Sequence, residues 1–199
     1  MNNYEYIIAC LPVLRQGGAS DAGLDADAVL DEIRSQLSER DRRLLDLMLR
    51  GYDAETLDAS FYEEVLHCPS RFLRAYFRFD LGVRNTRTEF LNRALGRPEG
   101  TDLVRIDEKE FEEAPRIEAV LSDSDILARE RGLDDIMWEK AEELTQGDLF
   151  DLDAILGFVA RLKTVDRWLR LDPETGRALF RRLVDELRSG ADMQKDLEG

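Results

Sequence analysis

Hydrophobic positions along the chain recur mainly at the spacing of an α-helix, and this pattern predicts an all-α protein. The longest run extends from Ser70 to Leu95 without a proline. Apolar residues recur in it about every 3.6 positions, at Phe72, Tyr76, Phe79, Val83, Phe90 and Ala94. A second long helix is predicted to begin at Asp148 and to continue through Leu169.

Shorter amphipathic segments surround these two helices. Asp25 and Ser38 are suited to cap two successive helices, the second of which ends at Gly51, and Ser60 is suited to cap a third. The remaining helices are predicted over 116–121, 123–131 and 133–145, and from Asp172–Glu174 through Leu187. The whole pattern therefore predicts a multi-helix bundle of about eight helices.

Two segments depart from helical spacing. Tyr4–Ala9 mixes aromatic and β-branched residues and is followed by Pro12, which predicts a short extended N-terminal segment. Gly96–Gly100 contains two glycines and a proline and is the best candidate for a hinge. We predict a single helical domain over 1–199, with any weak subdivision near 96–100.

Composition narrows the class of protein. Of the 199 residues, 43% are hydrophobic and 36% are charged, and the formal net charge is −15. Such an acidic chain is not expected to bind nucleic acid, because phosphate backbones require a positive surface. No apolar run approaches the roughly 20 residues that span a bilayer, so direct membrane insertion is not expected. Two cysteines are too few for a disulfide framework, which favours the reducing cytoplasm.

Charge is distributed unevenly along the chain. Residues 71–98 carry seven basic and two acidic side chains, a net of +5, whereas residues 99–153 carry six and nineteen, a net of −13. One interpretation is that basic and acidic helices attract each other within the fold; the other is that one basic face is kept for a partner. Within the basic segment we expect Asp80 and Arg84 to form an ion pair, since they are four residues apart on one helix.

No motif in the sequence predicts catalysis, a cofactor or a metal. His67 is the only histidine, and it is expected at the end of a short helix, where its neighbour Cys68 points elsewhere. Asp21–Glu32 has acidic residues at several positions of a calcium loop, but Ala26 occupies the position of the turn glycine. Neither glycine-rich nucleotide fingerprint is present. We therefore predict no catalytic, cofactor-binding or metal-binding residues and no enzymatic activity.

Two segments resemble a known family. Residues 80–96, from Asp80 through Asn85 to the closing Gly96, are similar to a helix of the central-stalk C (or d) subunit of V-type and archaeal-type rotary ATPases. Residues 150–170 resemble the late helix of that subunit, whose ending is matched by Asp166, Arg167, Leu169 and Arg170. The whole chain also resembles a small uncharacterised bacterial family encoded beside V-type ATPase subunits.

The resemblance implies a non-enzymatic accessory or central-stalk subunit of a bacterial V-type ATPase, acting in assembly or coupling through helix docking. Its partners would be subunits of the rotor stalk or the membrane ring, and it would be cytoplasmic, peripheral to the inner membrane through them. The implied function belongs to ion or proton transport. The partner-binding residues that it implies are Arg84, Arg87, Arg93, Arg167 and Arg170.

The alternative is a soluble acidic enzyme, or a regulatory interaction protein unrelated to the ATPase. An enzyme predicts a deep pocket that holds several carboxylates with raised pKa values. A stalk subunit instead predicts an exposed apolar or arginine-rich helix face.

Overall fold

A computed structural model describes residues 4–16, 23–106, 111–147 and 150–171. Within these ranges the chain forms eight α-helices and no strands, which confirms the predicted all-α class. The helices are α1 Tyr4–Cys10, α2 Ala26–Gln36, α3 Glu39–Arg50, α4 Ala59–Leu66, α5 Arg71–Leu95, α6 Ala114–Leu121, α7 Ile126–Thr145 and α8 Leu152–Arg170. The helix predicted from Asp172 lies outside the described residues.

Side-chain caps account for where most of these helices begin. Asp25 accepts a hydrogen bond from the backbone N–H of Ala28, and Ser38 accepts one from Asp41, so both predicted caps are confirmed. The predicted cap Ser60 is wrong: α4 begins at Ala59, two residues earlier than expected, because Asp58 caps it. The cap of α8 is Asp151, and the predicted Asp148 lies outside the described residues.

The N-terminal segment was predicted to be extended, and that prediction is wrong. Tyr4–Cys10 is helix α1, and it packs against α8. The spacing of Tyr4, Ile7, Ile8 and Leu11 is that of an apolar helix face, and all four contribute to the main core. Burial of this face therefore overrides the preference of aromatic and β-branched residues for strands.

Helix α7 is continuous where two shorter helices were predicted. Gly132 lies in its middle and does not end it. A Cβ at Gly132 would lie 2.6 Å from Cγ1 of Val120 on α6. The glycine therefore allows α6 and α7 to approach closely, and the pattern that predicted a break reflects packing.

Two apolar clusters form the interior. The main cluster joins α1–α5, α7 and α8, and Leu156 and Leu162 of α8 are fully buried in it. The second lies among α5, α6 and α7 and consists of Phe79, Val83, Ile117, Leu121, Leu133 and Ile136. Met137 packs against both clusters. No helix in the described ranges has both the length and the apolar character required to cross a bilayer.

Helices α5, α7 and α8 lie side by side, with α7 antiparallel to the other two. Arg87 of α5 pairs with Glu130, whereas Phe79 of α5 contacts Lys140 further along α7. Arg167 of α8 pairs with Asp134, and Arg161 pairs with Glu142. The C-terminal ends of α5 and α8 therefore lie at the end of the bundle where α7 begins.

Candidate functional site

A cleft of about 580 Å³ opens beside this helix layer. It is bordered by α5, α7, the end of α8 and the loop over 96–106, and its apolar lining includes Leu81, Leu133 and Met137. Three of the five predicted partner-binding arginines line it: Arg84, Arg87 and Arg167. Folding thus brings together residues from both segments of the resemblance. The other two predicted arginines, Arg93 and Arg170, are not among its lining residues.

Arg84 is positioned by Asp80. Its Nε donates to Asp80 Oδ2 at 2.8 Å, which confirms the predicted ion pair within α5. The hydroxyl of Tyr62 donates to the same carboxylate oxygen at 2.5 Å. Burial raises the pKa of Tyr62 well above its usual range, so the phenol remains a proton donor. The Asp80 carboxylate therefore holds α4 and α5 together at the wall of the cleft.

Glu130 of α7 joins α5 to α8. It accepts hydrogen bonds from Nη2 of Arg87 at 2.8 Å and from Nη2 of Arg167 at 2.5 Å. Burial acts to raise the pKa of Glu130, but the hydrogen bond from Arg167 and the charges of the two arginines outweigh it, so the pKa is lowered. The carboxylate is therefore ionised and bridges two guanidinium groups.

Asp134 lies one turn further along α7, and its pKa shifts in the opposite direction to that of Glu130. Its carboxylate accepts from Arg167 at 2.9 and 3.2 Å and from the indole Nε1 of Trp168 at 2.8 Å. Burial nevertheless raises its pKa above the usual range, because the partners offset only part of the desolvation. The pKa values of Glu130 and Asp134 thus shift in opposite directions. Each carboxylate is paired with at least one guanidinium group within the chain.

The remaining predicted arginines also pair within the chain. Arg93 pairs with Glu118 of α6, and Arg170 pairs with Asp166 and with Asp27 of α2. All five predicted side chains are still between 45% and 61% exposed. The attraction between basic and acidic segments that charge patterning predicted is therefore present, and it leaves these arginines accessible from outside.

The loop that carries the candidate hinge is fastened to one face of α5. Asn85 donates to the carbonyl of Val104 at 2.9 Å and accepts from its N–H at 3.1 Å. Glu89 accepts from the N–H of Gly100, and Asn92 donates to the carbonyl of Thr101. The three polar residues follow each other at helical spacing, so they hold the loop along one edge of the cleft.

A second pocket, of about 340 Å³, lies between α7 and α8 on the other side of Asp134. Both tryptophans of the chain, Trp138 and Trp168, line it, together with Arg131 and Asp135. The guanidinium of Arg131 stacks over the Trp168 ring, with its Cζ 4.6 Å from the ring centroid. Sequence reasoning missed Arg131, because it lies in the most acidic segment of the chain.

The residues considered for chemistry lie away from both cavities. His67 ends α4, and its Nδ1 lies 2.7 Å from the carbonyl oxygen of Glu63, as expected for a helix terminus. Cys68 is buried, and burial raises the pKa of its thiol. Among the described residues no group of three or more histidine, cysteine, aspartate or glutamate side chains is placed to hold a metal ion.

Comparison with known proteins finds one match. A family model described as "Protein of unknown function (DUF2764)" matches residues 54–191. The match includes α4–α8 and every residue that lines the cleft. Neither the curated proteins nor the solved structures contain a significant match.

Proposed function

The chain belongs to the DUF2764 family, and we propose that it is a non-enzymatic accessory or central-stalk subunit of a bacterial V-type ATPase. One observation carries this proposal. The two segments that resemble the stalk subunit, residues 80–96 and 150–170, lie on α5 and α8, and both reach Glu130 of α7. The two segments thus meet at one carboxylate of α7, as two parts of one docking surface would.

The construction of this layer suits mechanical coupling. A subunit that transmits force through docked helices requires stiffness and a complementary surface rather than a reactive group. Helix α8 is buried along most of its length, and the Arg87–Glu130–Arg167 cluster ties its end to α5 and α7. Arginine side chains that are half-exposed and already oriented by carboxylates lose little freedom when a partner binds them.

The proposal includes the location and partners of the protein. It would lie in the cytoplasm, held at the inner membrane through subunits of the rotor stalk or membrane ring. Ion transport would be a property of the assembled ATPase. The alternative, an enzyme with several carboxylates of raised pKa in a deep pocket, gains no support from the opposite shifts of Glu130 and Asp134.

Co-purification from native membranes tests the proposal. Tagged full-length protein is expected to capture V-type ATPase subunits, identified by mass spectrometry. Charge reversal of Arg84, Arg87 or Arg93 is expected to reduce capture by the folded protein. Arg43→Glu is the matched control, because Arg43 forms an exposed i,i+4 pair with Glu39 on α3, outside both segments of the resemblance.

Two results would contradict the proposal at different levels. Failure of the wild-type protein to capture any ATPase subunit would reject the function. If the reversals only lower the melting temperature, and the folded fraction still binds fully, these arginines have a structural role and the partner binds elsewhere.

A further inference from the structure

Arg131 differs from the five arginines that the sequence predicted. It is exposed, and in the part of the chain that the structure describes it makes no ion pair with a carboxylate. We propose that Arg131, stacked on Trp168, is the centre of a docking face for an acidic amphipathic helix of a partner ATPase subunit. This inference rests on the proposed function. This docking face consists of Leu127, Arg131, Trp168 and Leu171.

The four residues come together because α7 and α8 are antiparallel. Leu127 precedes Arg131 by one helical turn, and Leu171 follows Trp168 by about one turn. Since Arg131 and Trp168 are in contact and the two helices are antiparallel, both leucines lie about one turn from the pair, towards the same end of the bundle. Each leucine is 53% exposed. Exposed apolar residues grouped in this way are typical of interaction sites.

The stacked pair has the chemistry of an interface centre. Tryptophan and arginine are the residues most enriched where truncation costs the most binding energy. The pocket between Trp138 and Trp168 opens directly beside Arg131 and could receive a side chain of the partner. A docking helix could thus bury the leucines and fill the pocket at the same time.

Charge identifies the occupant as acidic. A guanidinium that lies over an indole ring keeps its in-plane N–H donors open, and these match a carboxylate in two parallel hydrogen bonds. In the described ranges no carboxylate pairs with Arg131: Asp134 accepts from Arg167 and Trp168, and Asp135 accepts from the neutral amide of Gln16. A carboxylate that faces the apolar side of a partner helix would complete the pair and cover both leucines.

Binding to the purified cytosolic sector of the V-type ATPase from the same bacterium tests this inference. Arg131→Glu is expected to weaken binding of the full-length protein by at least about tenfold. Arg131→Lys, which keeps the charge but loses the fork of donors, is expected to have an intermediate effect. The matched control is Arg40→Glu, which reverses an exposed arginine on α3 that makes no ion pair in the described ranges. It is expected to bind like the wild type.

Hydroxyl-radical footprinting of the same samples identifies the occupant. Leu127 and Trp168 are expected to be accessible in the free monomer and protected in the complex. If both are already protected in the free monomer, the protein's own chain covers the face, and if protection depends on self-association, a second copy does. Either result overturns the inference.

The two proposals fail in different ways. If the wild-type protein does not bind the ATPase sector, the proposed function is rejected and this inference with it. If the wild type binds and a folded Arg131→Glu protein binds equally well, only the docking face is rejected.

Discussion

At the scale of single residues, the structure explains why a glycine lies inside a long helix. Gly82 lies in the middle of α5, although glycine has a low helix propensity. A Cβ at this position would lie 2.4 Å from the ring of Phe111, and that ring packs edge-on against Phe79. The close contact is therefore the explanation for the glycine.

Gly82→Ala is expected to destabilise the protein by about 1–3 kcal/mol, although alanine is the better helix former. The ring of Phe111 must move away from the second cluster to admit the methyl group. Urea unfolding gives the free energy of unfolding. In a Phe111→Ala background the same substitution is expected to be neutral or stabilising, and an equal loss in both backgrounds would contradict this explanation.

Residue types alone could not identify Arg131 as a candidate binding residue. Its partner Trp168 is 37 positions away in the sequence, and the stacking depends on the antiparallel arrangement of α7 and α8. The five predicted arginines were instead chosen from a resemblance between local segments, and their role in binding stays a prediction. Asp80 and Arg84 could be paired from sequence because i,i+4 neighbours on a helix face each other whatever the tertiary fold.

At the scale of helices, most caps and apolar stripes were predictable, and the two largest departures, in α1 and α7, have tertiary causes. Asp25, Ser38 and Gly96 delimit helices as local signals require. Helix α1 forms because its apolar face packs on α8, and α7 continues through Gly132 because Val120 fills the space beside it. Neither contact can be inferred from spacing along one helix.

Glu130 connects three helices, and its pKa makes the connection dependent on pH. Because its pKa is lowered in the fold, its stabilising contribution is present above the ordinary value of 4.5 and is lost as the pH falls through the folded-state pKa. Glu130→Gln is expected to cost on the order of 1 kcal/mol at pH 7. The difference from wild type is expected to shrink as the pH is lowered below 4.5.

Urea unfolding of both proteins between about pH 3.5 and 7 measures this difference, in which the titration of other carboxylates cancels. Glu39→Gln is the matched control, because Glu39 is an exposed i,i+4 partner of Arg43. It is expected to change the free energy of unfolding by only about 0.3–0.5 kcal/mol. A Glu130→Gln effect that is constant over the whole pH range would show that the bridge does not depend on ionisation.

At the scale of the whole molecule, the distribution of charge along the chain indicated which helices form ion pairs, and the net charge did not. Arg87 and Arg93 of the basic segment 71–98, together with Arg167 of α8, pair with acidic residues of α6 and α7, as attraction within the fold predicts. The cleft, the second pocket and the docking face all border α7. Their positions follow from the packing of α7 against α5 and α8, so they could not be derived from the order of charged residues.

The same packing bears on whether the chain unfolds in one step. Gly96–Gly100 was the candidate for a subdivision, yet the loop is held to α5 by Asn85, Glu89 and Asn92. Helix α5 contributes buried residues to both apolar clusters, and Met137 contacts both. Neither cluster can lose its structure without exposing residues that stabilise the other, and this favours a single cooperative transition.

We therefore expect circular dichroism at 222 nm and tryptophan fluorescence to report the same urea midpoint. The two probes are distinct, since helix content is spread over the chain while Trp138 and Trp168 lie only on α7 and α8. Ile117→Ala, a fully buried change on α6 in the second cluster, is expected to cost about 2–5 kcal/mol and to lower both midpoints equally. If it lowers the midpoint seen by circular dichroism and leaves that of the tryptophans unchanged, the clusters unfold separately and the chain contains two units.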